Sequence, residues 1–362
     1  MSKCYLAANL NSLTRMSLFG MTLSIVALAQ PGTIITFNAP GAGRGFRQGT
    51  TATSINAAGV IAGYYVDSSG IDHGFTRSRD GVFTVFDAPG AVVGTLPYGI
   101  NDAGAVTGYY LDADFIAHGF VRSAVGLVAT FDVPASAGTG TYAFSINNAG
   151  VAAGFYFQSG ESFSFLRGPT GAFTTFEAAP GGPGLNGTRA SSINNANAVT
   201  GFFSNADLPQ HGFVRDPSGF TRTFRAPDAG FSNFQGTNAV GINDAGAITG
   251  DYIDGAGQTH GFVRSPDGVF TEFGAPGENP TTLPASINDA GAIAGSYTIG
   301  GLSHGFLRSP SGVITSFDVP GAGGVYYTGT FGAGINDAGA VAGYSIDAKS
   351  VYHGFLRTPA AQ

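Results

Sequence analysis

GINDAGAVTGYY, residues 99 to 110, is an Asn-Asp-Ala-Gly turn between two short apolar runs. The phrase returns as SINAAGVIAGYY from Ser54, SINNAGVAAGFY from Ser145 and SINNANAVTGFF from Ser192, then as GINDAGAITGDY from Gly241, SINDAGAIAGSY from Ser286 and GINDAGAVAGYS from Gly334. The seven isoleucines, Ile55, Ile100, Ile146, Ile193, Ile242, Ile287 and Ile335, stand 45, 46, 47, 49, 45 and 48 residues apart. A period of this size marks an array or a propeller, in which each copy stacks on its neighbours because it cannot bury its apolar face alone.

The copy at residues 94–134 supplies four candidate strands. The first runs from Gly94 to Asn101, the second is AVTGYYL from Ala105, and the third is HGFVRS from His118. The fourth follows the pattern GVFTVFDAP seen from Gly81, and its Pro ends pairing because it has no N–H for the ladder. Four short antiparallel strands per period predict an all-β fold, a seven-bladed β-propeller. Blades are expected at about 46–90, 91–135, 136–181, 182–228, 229–277, 278–322 and 323–358. The first segment after Gln30, TIITFNAPGA from Thr33, matches a fourth strand, whereas the chain ends on the third-strand phrase HGFLRTPAAQ. Segment 33–40 is therefore expected to complete the last blade and close the ring, which leaves no unpaired edge between the ends. A β-helix or open solenoid does not explain that offset.

The composition agrees with this architecture. The chain has 58 Gly, 30 Phe and 14 Tyr, no Trp, and only 11% charged residues. A disordered chain would show few aromatics and much charge. The net charge of −7 disfavours nucleic acid or an anionic membrane surface as partner. Lys3 and Arg15 precede the apolar run Met16 to Ala29, which ends on Ala27-Leu28-Ala29. This reads as a signal peptide over 1–29, since the run is too short to span a bilayer. Cleavage would remove two cations, taking the charge from −7 to −9, and also Cys4, the single cysteine. The remaining domain, 30–362, must then be held by its core without disulfides. A secreted or periplasmic monomer is expected, with no membrane span.

The recurring phrases S/G-I-N-N/D-A-G-x-x-x-G-Y and H-G-F-x-R resemble the HAF-type extracellular repeat family of bacteria. That family is named for a His-Ala-Phe triplet, which here reads His-Gly-Phe in six copies. The resemblance covers nearly all of the chain after residue 30. It implies export and a repeat fold, and brings no activity with it.

All six histidines, His73, His118, His211, His260, His304 and His353, occupy one repeat position, and the third copy has Phe163 there. A ring of metal ligands is one reading. One His per blade on a third strand is too far from its neighbours to share an ion, so a structural role is expected, with no metal and no cofactor. The arginines four residues on (Arg77 to Arg357), the threonines five before each Ile and the asparagines one after it recur in the same way and read as fold-building. The Gly eight after each Ile is read as permitting close approach of a neighbouring blade. Asp67, Asp112, Asp254 and Asp347 open loops without calcium-loop spacing and read as turn residues.

No nucleophile motif, phosphate loop or H-E-x-x-H sequence is present, so no catalytic residue is named. The segments entering each first strand break the repeat. Arg44, Arg47, Tyr98, Tyr142, Arg189, Phe234, Tyr326 and Tyr327 in them are candidate binding residues on one loop face, together with Phe144 and Phe331. Aromatics with a few arginines suit stacking on sugars or gripping peptides. The expected function is a binding module for carbohydrate or a surface or matrix protein. The alternatives are a polysaccharide lyase or glycoside hydrolase on the same scaffold, which would need an unrepeated carboxylate pair, and a purely structural repeat.

Overall fold

Each repeated turn closes through its Asn. Asn101 donates its backbone N–H to Ala105 O at 2.9 Å, and its side-chain Oδ1 accepts from Ala105 N at 2.8 Å. Gly104 supplies the left-handed backbone, with φ of 83°. The β-branched and aromatic residues on either side form the hairpin arms. The computed structural model describes residues 32–178, 185–205, 208–232, 235–326 and 328–359. The expected signal peptide, Phe234 and Tyr327 lie outside them.

The described chain is all-β apart from one 3-10 turn at Pro134–Ser136. After β1 (Thr33–Phe37), the first copy forms β2 (Gly49–Ile55), β3 (Ile61–Val66), β4 (Asp72–Arg77) and β5 (Phe83–Phe86). These pair antiparallel in chain order, β2 with β3, β3 with β4 and β4 with β5. Later copies repeat that order, as in Gly94–Ile100, Val106–Leu111, Ala117–Arg122 and Val128–Phe131. The last copy contributes three strands, Thr328–Ile335, Val341–Ile346 and Tyr352–Thr358. Its fourth partner is β1, which pairs antiparallel with Tyr352–Thr358 from Thr33↔Thr358 to Phe37↔Gly354.

The core sits between successive four-stranded units. Phe75, Phe120, Phe165, Phe213, Phe262, Phe306 and Phe355, from the H-G-F phrase and its third-copy counterpart, are completely buried. Ala62 of the first unit packs with Ile100, Val106 and Phe120 of the second, and Ala340, Ala342 and Leu356 of the last pack with Ile55, Ile61 and Phe75 of the first. The arginines at the end of the third strands span the same seams. Arg122 lies 4.8 Å from the ring centroid of Phe86 and Arg264 4.8 Å from that of Phe224, each in the preceding unit. Arg77 lies 4.7 Å from Phe37 of β1 in the same way. Burying each Phe contributes roughly 1.5–3 kcal/mol, and the stacked guanidinium about 1 kcal/mol more.

The repeated Gly of the second strand does not serve a neighbouring unit, contrary to the expectation from sequence. A Cβ at Gly63 would lie 2.2 Å from Thr51 O, and one at Gly250 2.0 Å from Asn238 O. Both contacts are with the unit's own first strand. The close approach follows from a β-bulge in that strand.

Candidate functional site

Two repeated side chains, a Thr and an Asn, build the frame around the centre. Thr95 Oγ1 accepts from Ala88 N at 3.0 Å and Thr237 Oγ1 from Ala226 N at 2.8 Å, each tying a first strand to the end of the preceding unit. Asn56 Nδ2 donates to Asn101 O at 3.0 Å, Asn101 to Asn147 O, Asn147 to Asn194 O and Asn194 to Asn243 O. Asn243 donates to Asn288 O, Asn288 to Asn336 O, and Asn336 back to Asn56 O at 3.0 Å. These turns rim a central cavity of about 200 Å³. Asp102, Asp244, Asp289 and Asp337 stand there, and burial and the other carboxylates raise the pKa of Asp289. Among the described residues no three His, Cys, Asp or Glu side chains are grouped to hold a metal.

The histidines lie away from this centre, on third strands. His118 Nδ1 is 3.0 Å from Asp132 and its Nε2 3.2 Å from Asp112, while its ring stacks on Tyr110 at 4.9 Å. His353 Nδ1 meets Asn38 Oδ1 at 3.0 Å, bringing the two ends of the described chain together. The loop aspartates also cap their own turns, as where Asp112 Oδ1 accepts from Asp114 N and Ile116 N. Desolvation opposes a charge on His118, but the bonds and charges of Asp132 and Asp112 outweigh it, so its pKa is raised. His211 differs: burial and the charge of Arg225 lower it.

At the opposite end of the centre the repeat is broken. Every first strand carries a β-bulge two residues before its Ile, between Ala52 and Ser54 in β2 and between Pro97 and Gly99 in the next. A bulge re-aims the extra side chain. Here the extra residues, Thr53, Tyr98, Phe144, Ser191, Val240, Ala285 and Ala333, line a second central cavity of about 170 Å³. The bulge position is thus inward-facing and varies across the copies, with Ala in two of them, at 285 and 333.

Around the second and third copies these side chains continue into an aromatic wall. Tyr98 stacks on Tyr109 at 5.4 Å and meets Phe144 at 5.0 Å, and Phe144 stacks on Phe155 at 5.6 Å. Tyr142 lies 5.0 Å from Tyr109 and 5.1 Å from Phe155. The Arg189 guanidinium covers the far end, 5.0 Å from Phe155 and 5.6 Å from Phe157. Another aromatic group stands on the last unit, where Phe331 stacks on Tyr344 at 4.9 Å and Tyr344 on Tyr352 at 5.7 Å. Elsewhere the same position holds Asn238, whose Nδ2 donates to Asp251 Oδ1 at 3.1 Å. Burial pushes Asp251 up to about 7, and burial pushes Asp72 up to about 6. Asp72 lies close enough to Tyr64, Tyr98 and Tyr109 to raise their phenol pKa values beyond what burial already does.

The candidate binding residues therefore separate. Tyr98, Tyr142 and Arg189 come together, with Phe144, and they sit on first strands (Gly94–Ile100, Thr141–Ile146, Leu185–Ile193) and not on a loop face. Arg44 and Arg47 are exposed on a loop next to Phe46, apart from the wall, and Arg47 N bonds Ser350 O. Tyr326 is 72% exposed. Tyr109, Phe155, Phe157 and Asp72 are not among the residues that the sequence singles out. The signal for the first two is the residue after the second-strand Gly, which reads Tyr64, Tyr109, Phe155, Phe202, Asp251, Ser296 and Tyr344 across the copies.

No protein-family model matches the chain, and no curated protein matches it in sequence. Solved structures do. A streptogramin B lyase superposes with a TM-score of 0.58 at 13% identity, over 91% of this chain and 98% of that one. A virginiamycin B lyase from Staphylococcus aureus, solved with quinupristin, gives 0.58 at 14% identity over 90% and 99%. A prolyl endopeptidase gives 0.53 at 11% identity, over 91% of this chain and 51% of that one. At such identities the likeness concerns the scaffold alone: the chain has a propeller-like all-β fold.

Proposed function

We propose that this chain is an exported, closed seven-bladed β-propeller of the HAF-repeat kind that works as a binding module. Its ligand is a carbohydrate or an extracellular surface or matrix protein, held at the central opening on the side of Tyr98, Tyr142 and Arg189. The observation that carries this reading is the bulge position. Repeat-fixed residues build the frame, whereas the inward-aimed bulge residues vary, and the two aromatic ones, Tyr98 and Phe144, stand in adjacent copies and join an aromatic wall there. A wall of partly buried aromatic faces is suited to stacking on sugar rings or on flat side chains. Ring closure is supported by the pairing of β1 with the last strand, by Arg77 over Phe37 and by the Asn336–Asn56 bond.

A glycan and extracellular-protein binding screen on the intact chain tests the reading, with product analysis in the same wells. Binding without turnover is expected. Tyr98→Ala and Tyr142→Ala should weaken it about tenfold or more, while Tyr326→Ala should leave it unchanged. Equal binding by all three variants would refute this location.

The second reading, an enzyme on the same scaffold, would draw on Asp72 and Asp251, carboxylates of different units whose pKa values burial raises, although neither lines a central cavity. Release of cleaved product, abolished by Asp72→Asn or Asp251→Asn with the fold intact, would establish it over the binding module.

A further inference from the structure

Arg189 stands outside the arginine pattern of the fold. The seven repeated arginines end third strands and stack across seams, whereas Arg189 lies on a first strand, four residues before Ile193. The other copies have Thr51, Leu96, Tyr142, Asn238, Leu283 and Phe331 there. Its Nε donates to Ser162 Oγ at 3.3 Å, and its Cζ lies 5.0 Å and 5.6 Å from the ring centroids of Phe155 and Phe157. Among the described residues no carboxylate pairs with it and its Nη groups have no hydrogen-bond partner. It is half-buried, and desolvation lowers its pKa. A guanidinium taken partly out of water without a counter-charge is costly, and an arriving anion removes that cost.

What surrounds it specifies the rest of the ligand. The aromatic faces run continuously from Phe155 to Tyr98. Tyr98, Ser191 and Ser192 also line the second central cavity, and the Tyr98 and Tyr109 hydroxyls stand 3.5 Å apart. The C–H face of a pyranose stacks on such rings while its hydroxyls bond the rim. A carboxylate matches the fork of a guanidinium with two parallel bonds. We propose that the site takes an acidic saccharide, with a uronic-acid carboxylate on Arg189 and the adjoining sugar rings on the Tyr142–Tyr98 wall. This rests on the binding-module reading and narrows its ligand.

Calorimetric titration of the intact chain with uronic-acid trisaccharides, their methyl esters, the neutral trisaccharides and sulfated neutral trisaccharides tests it. The acid should bind about ten- to a hundredfold tighter than ester or neutral sugar, the range of one charge-assisted hydrogen-bonded contact. Arg189→Gln should bring acid and ester level, Arg189→Lys should keep part of the difference, and Tyr98→Phe should leave the ratio unchanged, each with a melting curve to verify folding. The wild-type comparison of acid with ester needs no variant. Equal binding of acid and ester would overturn the proposal and leave the binding module standing. Preference for the sulfated sugar would overturn the carboxylate assignment. No binding of any of these saccharides would overturn this proposal and leave the module with a protein ligand.

Discussion

Asn243 carries a disproportionate share of its repeat. Its Nδ2 reaches Asn288 O in the next unit at 3.0 Å, and its Oδ1 accepts from Ala247 N at 2.8 Å within its own turn. Both bonds are away from water, so Asn243→Ala leaves a carbonyl and an amide unsatisfied. A loss of about 2–4 kcal/mol is expected in urea denaturation, and a loss under about 0.5 kcal/mol would show that the ring of Asn bonds is incidental. His118 makes a pH-dependent contribution. Its folded pKa is raised above the ordinary 6.5 because Asp132 and Asp112 outweigh desolvation. The stabilisation is therefore complete below about pH 6.5 and is lost as pH rises through the elevated folded value. His118→Gln should cost more stability near pH 5.5 than near pH 8.5, and an equal cost at both would contradict the charge argument. The repeated residues are legible in sequence because each appears in every copy or nearly so. Arg189 and Tyr98 are legible only as departures from the pattern, and their contact with Phe155 and Tyr109 is not.

The hairpin from first to second strand shows why. Turn and strands follow from Asn, Gly and alternating apolar residues, and the observed bounds match the expected ones to within a residue or so. The bulge leaves no mark in a pattern of small residues such as Ala-Phe-Ser or Ala-Val-Gly. Without it, nothing in the strand pattern aims the residues two before the Ile at the centre. The bulge also sets the demand for Gly on the facing strand. Gly250→Ala would put a methyl 2.0 Å from Asn238 O and against Phe262. Melting should report a loss of about 3 kcal/mol or more, beyond ordinary overpacking. Phe262→Ala, which empties a completely buried site, should cost about 3–5 kcal/mol. If Gly250→Ala melts like wild type, the close approach of the two strands is wrong.

At the scale of the whole molecule, closure depends on how the ends meet. The offset of the repeat against the chain is readable in sequence, because a fourth-strand phrase comes first and a third-strand phrase last. The structure gives that offset its physical content: five paired residues from Thr33 to Phe37, Phe37 in the core with Phe75, and Thr50 Oγ1 accepting from Ala39 N at 2.8 Å. What the chain binds is not readable, since a frame of repeated residues can carry many different openings. The most direct test is the cooperative melting of a chain lacking residues 33–39, alone and with that segment added back as a peptide. The closed ring predicts a loss of at least about 3–5 kcal/mol, the cost of emptying the Phe37 site alone, with recovery on adding the peptide. Melting identical to the intact chain, with no response to the peptide, would contradict closure.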